Sequence, residues 1–253
     1  MTKIHRGNVL ITGAAKRIGR VIALELARAG WNIAVHYRRS EQQAEDLVCE
    51  LESYGVRGVG LAADLANEAE VGQLFANAGK ALGPITCLIN NASIFEEDTA
   101  TTATRRSWDR HMNVNLRAPF VLSQCLVNGL PEGQSGVIIN IIDQRVWNPT
   151  PEFTSYTLSK MGLWSATQVL AQSYAPHVRV NAIGPGPTLQ SVHQSADDFT
   201  AEVDALPLQR GVSPEDISRG VVFILESPTM TGQMIALDSG QHLGWRAKQK
   251  DSK

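Results

Sequence analysis

Cysteine is scarce in this chain. Cys49, Cys87 and Cys125 are its three thiols, far apart and never in a CxxC pair. That usage excludes a disulfide framework and a thiolate zinc site, and it leads us to expect reduced thiols in a cytoplasmic setting. The six histidines show no metal-ligand spacing, so no metal chemistry is expected. Charge of one sign is also lacking. The formal net charge of -2 offers no field that would draw the chain to nucleic acid or an anionic membrane. No apolar run approaches the roughly 20 residues of a membrane span. The opening MTKIHRGNVLITG enters a strand pattern with no apolar leader segment or small-residue cleavage site.

What is present is an alternation of short apolar runs and helix-length segments. The runs are Val9–Ile11, Ile33–Val35, Val59–Leu61, Cys87–Ile89, Val137–Ile139, Val178–Val180 and Met234–Leu237. Such continuous runs suit strands buried on both faces of a parallel sheet. Between the first two, Ile18, Ile22 and Leu26 mark one stripe of an amphipathic helix, with Gly30 where a C-terminal cap would sit. Further helices are expected at about Glu41–Ser53, Glu68–Ala81, Arg105–Val127, Thr154–Tyr174 and Pro214–Glu226. The expected fold class is therefore α/β, a Rossmann-type doubly wound parallel sheet of seven strands with helices on both faces. With no repeat, linker or composition shift before Arg246, residues 1–245 read as one domain and 246–253 as a charged, frayed tail.

The turn after the first strand reads Thr12-Gly13-Ala14-Ala15-Lys16-Arg17-Ile18-Gly19. Gly13 allows a tight turn and Gly19 a close helix–strand approach, and the helix N-terminus behind them offers N–H groups to a pyrophosphate. An ordinary βα turn can carry such a glycine pair, so its position after the first strand is what gives it weight. The second strand ends in His36-Tyr37-Arg38-Arg39-Ser40, with no acid at its tip to bond a ribose 2′-hydroxyl. Arginines there and at Arg17 suit a 2′-phosphate, which favours NADP over NAD, although strand-end arginines facing solvent would look the same.

Ser155-Tyr156-Thr157-Leu158-Ser159-Lys160 opens a predicted helix and puts Tyr156 and Lys160 on one face. A nearby ammonium, with the positive oxidised nicotinamide, is expected to bring the phenol pKa down from about 10 towards a useful range. In isolation, a YxxxK spacing is most often a surface pair.

Together with Asn90-Asn91-Ala92-Ser93, Asn115 and Asn181-Ala182-Ile183-Gly184-Pro185-Gly186, these motifs occur in the order of the short-chain dehydrogenase/reductase family, which the chain resembles over nearly its whole length. The resemblance implies that Tyr156 is catalytic, that Lys160 holds the nicotinamide ribose, and that Asn115 supports a proton-relay water. It also implies that Pro185, Gly186 and Thr188 position the carboxamide. Asp64 would bind the adenine edge, Leu65, Asn91, Ala92 and Ser93 would line the cofactor, and Gly13, Arg17, Ile18, Gly19 and His36 to Ser40 would hold its phosphates and ribose. Two-fold packing of the Arg105–Val127 and Thr154–Tyr174 helices, giving a homotetramer or dimer, is implied in the same way.

Two departures from the family pattern stand out: Arg17 replaces the middle glycine of the turn, and Asp143 replaces the catalytic serine thirteen residues before Tyr156. A serine hydroxyl donates to a substrate carbonyl, whereas an ionised carboxylate only accepts and opposes a developing alkoxide. A ring nitrogen awaiting a proton is a different case, because Asp143 beside Tyr156 could hold or relay that proton. With Asn91-Ala92-Ser93-Ile94-Phe95 and the His36-Tyr37 strand end, these residues resemble the pteridine reductase branch. That branch implies Phe95 stacking on a pterin against the nicotinamide, with Arg17, Ser93, Asp143 and Tyr156 also meeting the substrate. Phe95 as a plain core aromatic remains open. Trp147 and Pro149 are candidates to cover the pocket, the polar loop from Gly186 through Thr200 sits where a lid would, and Gln241–Trp245 is placed to close over a pocket or dock on a neighbour. The expected activity is NADPH-dependent reduction of a dihydropterin, dihydrobiopterin, dihydromonapterin or dihydrofolate. The alternatives are a carbonyl reductase of the same fold and a non-catalytic NADP(H)-binding sensor.

Overall fold

In the computed structural model, which describes residues 6–191 and 194–244, the seven apolar runs form one parallel sheet in the order β3-β2-β1-β4-β5-β6-β7. The strands are β1 Gly7–Ile11, β2 Trp31–Tyr37, β3 Gly58–Ala62, β4 Cys87–Asn90, β5 Gly136–Ile141, β6 Val178–Pro185 and β7 Met234–Leu237. The register is set by matched apolar positions, such as Leu10 between Ala34 and Leu88. The chain reverses its direction of growth between β1 and β4, the switch point at which doubly wound sheets open a crevice at the carboxyl ends of their strands.

Each strand feeds two cores, because successive side chains point to opposite faces. Val9, Ile11, Ile33 and Val35 pack with α1 (Arg17–Arg28), α2 (Glu41–Ser53) and α8 (Pro214–Leu225) on one side. Leu10, Ala34, Leu88 and Ile138 pack with α3 (Glu68–Leu82), α5 (Ala118–Gly129) and α6 (Thr154–Tyr174) on the other. The α1 stripe holds as expected, with Ile22 and Leu26 buried. Gly30 follows the Ala29 cap at φ 91°, a left-handed conformation that suits glycine after a helix end.

The structure changes three expectations. The segment anticipated as one helix from Arg105 to Val127 is α4 (Arg105–Met112), then a π turn at Asn113–Arg117, then α5. Periodicity cannot reveal the extra residue of a π turn, which repeats at five rather than four and is common at functional sites. Secondly, the expected polar loop after Gly186 contains α7 (Ala196–Asp204), opened by a Ser195/Asp198 capping box. Thirdly, β3 is an edge strand with partly exposed side chains, so an apolar run there did not signal burial on both faces. The 246–253 tail and Trp245 lie outside the described residues.

Candidate active site

The expected site residues gather along the carboxyl ends of the central strands. Gly13 lies at φ 64°, and a Cβ there would come within 3.1 Å of Ala92 Cα. A Cβ at Gly19 would meet Gly13 O at 2.4 Å, so α1 approaches the turn as only glycine permits. Arg17 adopts φ 54° in the position of the missing glycine. Its guanidinium donates to Leu189 O at 3.2 Å and to Gln190 O at 3.3 Å, tying the turn to the segment after β6. No side chain caps the first turn of α1, and Ile18 packs back on the core. The turn therefore offers backbone N–H groups and a helix dipole end to an anion.

Thr12 and His36 hold this turn. Thr12 Oγ1 accepts from the backbone N–H groups of Asn91 and Ala92, each at 3.0 Å. Asn91 Nδ2 donates back to Thr12 O at 2.8 Å and Gly13 O at 3.2 Å. His36 was expected to face the cofactor and does not. Its ring is buried, with Nδ1 accepting from Gly13 N–H at 3.0 Å and Nε2 within 3.1 Å of Ala63 O. A carbonyl can only accept, so Nε2 carries the proton and Nδ1 is the lone pair. Burial pushes the imidazole pKa down to about 4. His36 is thus a positioning residue for the turn.

Arg38 and Arg39 are exposed at the tip of β2 and form no ion pair among the described residues. Ser40 is the N-cap of α2 with no side-chain cap bond, and Tyr37 is partly buried beside Gly60. Asp64 Oδ1 accepts from Ala66 N–H at 3.0 Å, an Asx turn that leads the chain from β3 to α3. The side chain of Leu65, expected among the cofactor residues, is buried in the core beneath α3 and leaves its backbone as the group on that side. Across the crevice Pro185 ends β6, and Gly186 fits so closely that a Cβ would meet Asp238 Cα at 2.7 Å. Thr188 Oγ1 donates to Gly186 O at 2.9 Å.

Asp143, Tyr156 and Lys160 come together as their pattern implied. Tyr156 Oη donates to Asp143 Oδ2 at 2.8 Å, while Asp143 Oδ1 accepts from Arg145 N–H at 2.8 Å. Lys160, fully buried, donates from Nζ to Ile141 O at 2.9 Å and lies 5.7 Å from the centroid of the Tyr156 ring. The chain's own groups act against the lowering of the phenol pKa expected from Lys160 and an oxidised nicotinamide together. Burial and then the Asp143 carboxyl push Tyr156 well above its ordinary value. Lys160 does not offset this, since burial lowers its own ammonium to about 8. Burial likewise raises the Asp143 carboxyl, against the pull of Arg145, Tyr156 and Lys160. Burial thus shifts the phenol and the carboxyl towards their protonated forms and the ammonium towards its neutral one.

Asn115 lies in the π turn, with its side chain engaged by neighbouring groups. Its Oδ1 accepts from Ile94 N–H at 2.9 Å and Ser93 Oγ at 3.2 Å, and its Nδ2 donates to Ile94 O at 3.0 Å and Ser159 Oγ at 3.1 Å. Both N–H donors of the amide are used, and its oxygen shares the Ser93 hydroxyl with Ile94 O. Its role is to fix the strand of chain that carries Ser93 and Phe95 against α6.

Phe95 stands edge-on to Tyr156 with ring centroids 4.7 Å apart, and it is stacked on Phe153 at 4.0 Å and 16°. Phe153, at φ 54° just before α6, went unnoticed in the sequence, where a lone Phe before a helix signals nothing. A buried relay also escaped notice. Ser155 bonds through its hydroxyl to both Asp98 and His111 Nδ1, the latter at 2.7 Å, and His111 Nε2 accepts from Glu96 N–H at 3.1 Å. It clamps the Phe95 segment and α4 to the start of α6. Trp147 packs edge-on to Trp164 and His242, and Asn148 reaches Gln241 O, so this loop docks on the short helical turn Gln241–Leu243. Among the described residues no cluster of His, Cys, Asp or Glu could hold a metal.

Comparison with known proteins agrees with this geometry. The model for the short chain dehydrogenase family matches residues 7–200. A short-chain type dehydrogenase/reductase from Picea abies is 30% identical over 246 residues, 92% of this chain and 91% of that protein. A 3-oxoacyl-[acyl-carrier-protein] reductase FabG from Staphylococcus aureus is 30% identical over 241 residues, 93% and 98% of the two chains. The crystal structure of FolM alternative dihydrofolate reductase 1 from Brucella suis in complex with NADP superposes with a TM-score of 0.92 at 45% identity, covering 96% of this chain and 98% of that one. With the matched sheet order, the glycine turn and the Tyr156/Lys160 pair on one crevice, the chain belongs to the short-chain dehydrogenase family.

Proposed function

We propose that this protein is an NADPH-dependent reductase of a pterin-type ring, a dihydropterin or dihydrofolate. One observation carries the choice of substrate. At the place where the family's carbonyl reductases put a serine hydroxyl, this chain has the Asp143 carboxyl, bonded to Tyr156 at 2.8 Å. A carboxyl held there opposes an alkoxide but can supply a proton to a ring nitrogen. The 45% identical FolM relative, a dihydrofolate reductase by name, supports the same choice.

The crevice fits a phosphorylated dinucleotide. The turn cannot accept a Cβ at Gly19, α1 presents uncapped N–H groups, and Arg38, Arg39, Lys16 and Arg17 are exposed around it. Arginine forks suit the 2′-phosphate and a carboxylate there would repel it. Similar structures were crystallised with NADP or NADPH. When bound, the nicotinamide supplies the hydride. The chain's part is to orient and to protonate: Tyr156 and Asp143 hold protons at the reacting edge, Lys160 stands behind the phenol, and Phe95 walls the pocket. Arg17 and Ser93 complete the substrate contacts, and Pro185, Gly186 and Thr188 form the opposite wall. The setting we infer is cytoplasmic, and the working unit a homotetramer or dimer packed through the α4–α5 and α6 surfaces.

A second reading, ketone reduction, is favoured by the FabG relatives. NADPH oxidation with dihydrobiopterin, dihydrofolate and an acyl-thioester ketone separates the two. Turnover of the ketone alone would replace the pterin assignment, and tight NADPH binding with no turnover at all would leave a sensor.

A further inference from the structure

Beside the Asp143, Tyr156 and Lys160 trio stands a cation whose guanidinium bonds to none of the three. Arg145 lies on the short helical turn Gln144–Val146 that begins at Asp143. Its backbone N–H is the group bonded to Asp143. Its guanidinium heads elsewhere, donating from Nη1 to Thr150 Oγ1 at 2.5 Å and lying 5.4 Å from the Phe153 centroid and 6.0 Å from the Phe95 centroid. It forms no ion pair with any described residue, Asp143 included, although Arg6, Arg20, Arg28, Arg105, Arg110, Arg117 and Arg219 are each paired with an acid. The side chain is partly exposed, and the neighbouring acid Glu152 is exposed and likewise forms no ion pair.

We propose that Arg145 is an anion subsite for a carboxylate tail on the substrate, so that the ring reduced at Tyr156 is of the folate class rather than a free, uncharged pterin. This rests on the pterin reading above. The Phe95–Phe153 pair forms an aromatic wall running from Tyr156 to Arg145. A flat ring lodged at the Tyr156 end, continued by an aryl amide, would lie along that wall and bring terminal carboxylates to a guanidinium with most of its N–H donors uncommitted. An arginine fork matches a carboxylate in shape and charge, and its placement on ring faces holds it aimed at low entropic cost. Free pterins carry hydroxyalkyl groups there and gain nothing from a cation.

The test compares dihydrofolate with dihydrobiopterin in the intact enzyme and in Arg145→Gln and Arg145→Lys. We expect Arg145→Gln to raise KM for dihydrofolate about tenfold, the size of one partly exposed charge-assisted contact. The KM for dihydrobiopterin should stay within about twofold, and Arg145→Lys should restore part of the preference. Added salt should raise only the dihydrofolate KM in the intact enzyme. Equal shifts for both substrates, or none for either, would overturn the subsite while leaving pterin reduction standing. An intact enzyme that reduces neither substrate would overturn the pterin reading, and the subsite with it.

Discussion

Replacing Asp143 by Asn isolates the proton chemistry from the architecture. The carboxyl's two oxygens have separate tasks, one accepting from Arg145 N–H and the other from Tyr156, both at 2.8 Å. An amide can keep its oxygen on Arg145 N–H and turn its NH2 to the phenol oxygen, so the one group left without its acceptor is the phenol O–H. The cost in folding stability should therefore be about 1–3 kcal/mol, that of one buried donor without an acceptor. What the amide cannot do is release or take up a proton. Loss of a positioned general acid is worth about 10²–10⁴ in rate, or roughly 3–5 kcal/mol of barrier. The assay is NADPH oxidation with dihydropterin, alongside NADPH binding to the same variant. The pH dependence adds a signature. Because burial raises the Asp143 carboxyl, its acid form persists to higher pH than an ordinary aspartate's. Reduction should accelerate as pH falls through that raised value, and the variant should lose this limb. A variant with native NADPH affinity, wild-type rate and an unchanged pH profile would refute the reasoning.

Other outcomes follow from the same geometry. His36 has its pKa lowered from 6.5 to about 4, so the folded state prefers the neutral ring. The stability this gives is present above the unfolded value and is lost as pH falls from about 6.5 to about 4, by roughly 3 kcal/mol. Urea midpoints of the wild type and His36→Gln across that window should converge towards acid, and parallel curves would contradict the buried tautomer. Arg38→Ala with Arg39→Ala should weaken NADPH by about tenfold or more while sparing NADH, read by fluorescence titration; equal losses for both cofactors would mean the pair does not meet the 2′-phosphate. Gly19→Ala places a Cβ within 2.4 Å of Gly13 O, so it should abolish cofactor binding before it abolishes folding, measured by titration and circular dichroism.

Much of the site was legible because its chemistry depends on residue type at fixed spacing. Gly13 and Gly19 bracket a turn, Tyr156 and Lys160 share one helix face, and Asp143 takes the serine position. What spacing could not convey was the direction of side chains. His36 and Leu65 stand among residues expected at the cofactor, yet one is consumed by the turn and the other by the core. Asn115 was marked, but spacing could not show that its amide reaches across to Ser93, Ile94 and Ser159.

By itself the sequence determined the alternating strands and helices and the set of groups capable of the chemistry, since these follow from local periodicity and side-chain identity. The tertiary structure alone decided the protonation balance of Tyr156, Asp143 and Lys160, the clamp of His36 on the phosphate turn, and the aromatic wall from Phe95 through Phe153 to Arg145. Each of these depends on which distant groups share a site with little water, and desolvation and charge–charge coupling exist only once the chain has brought those groups together.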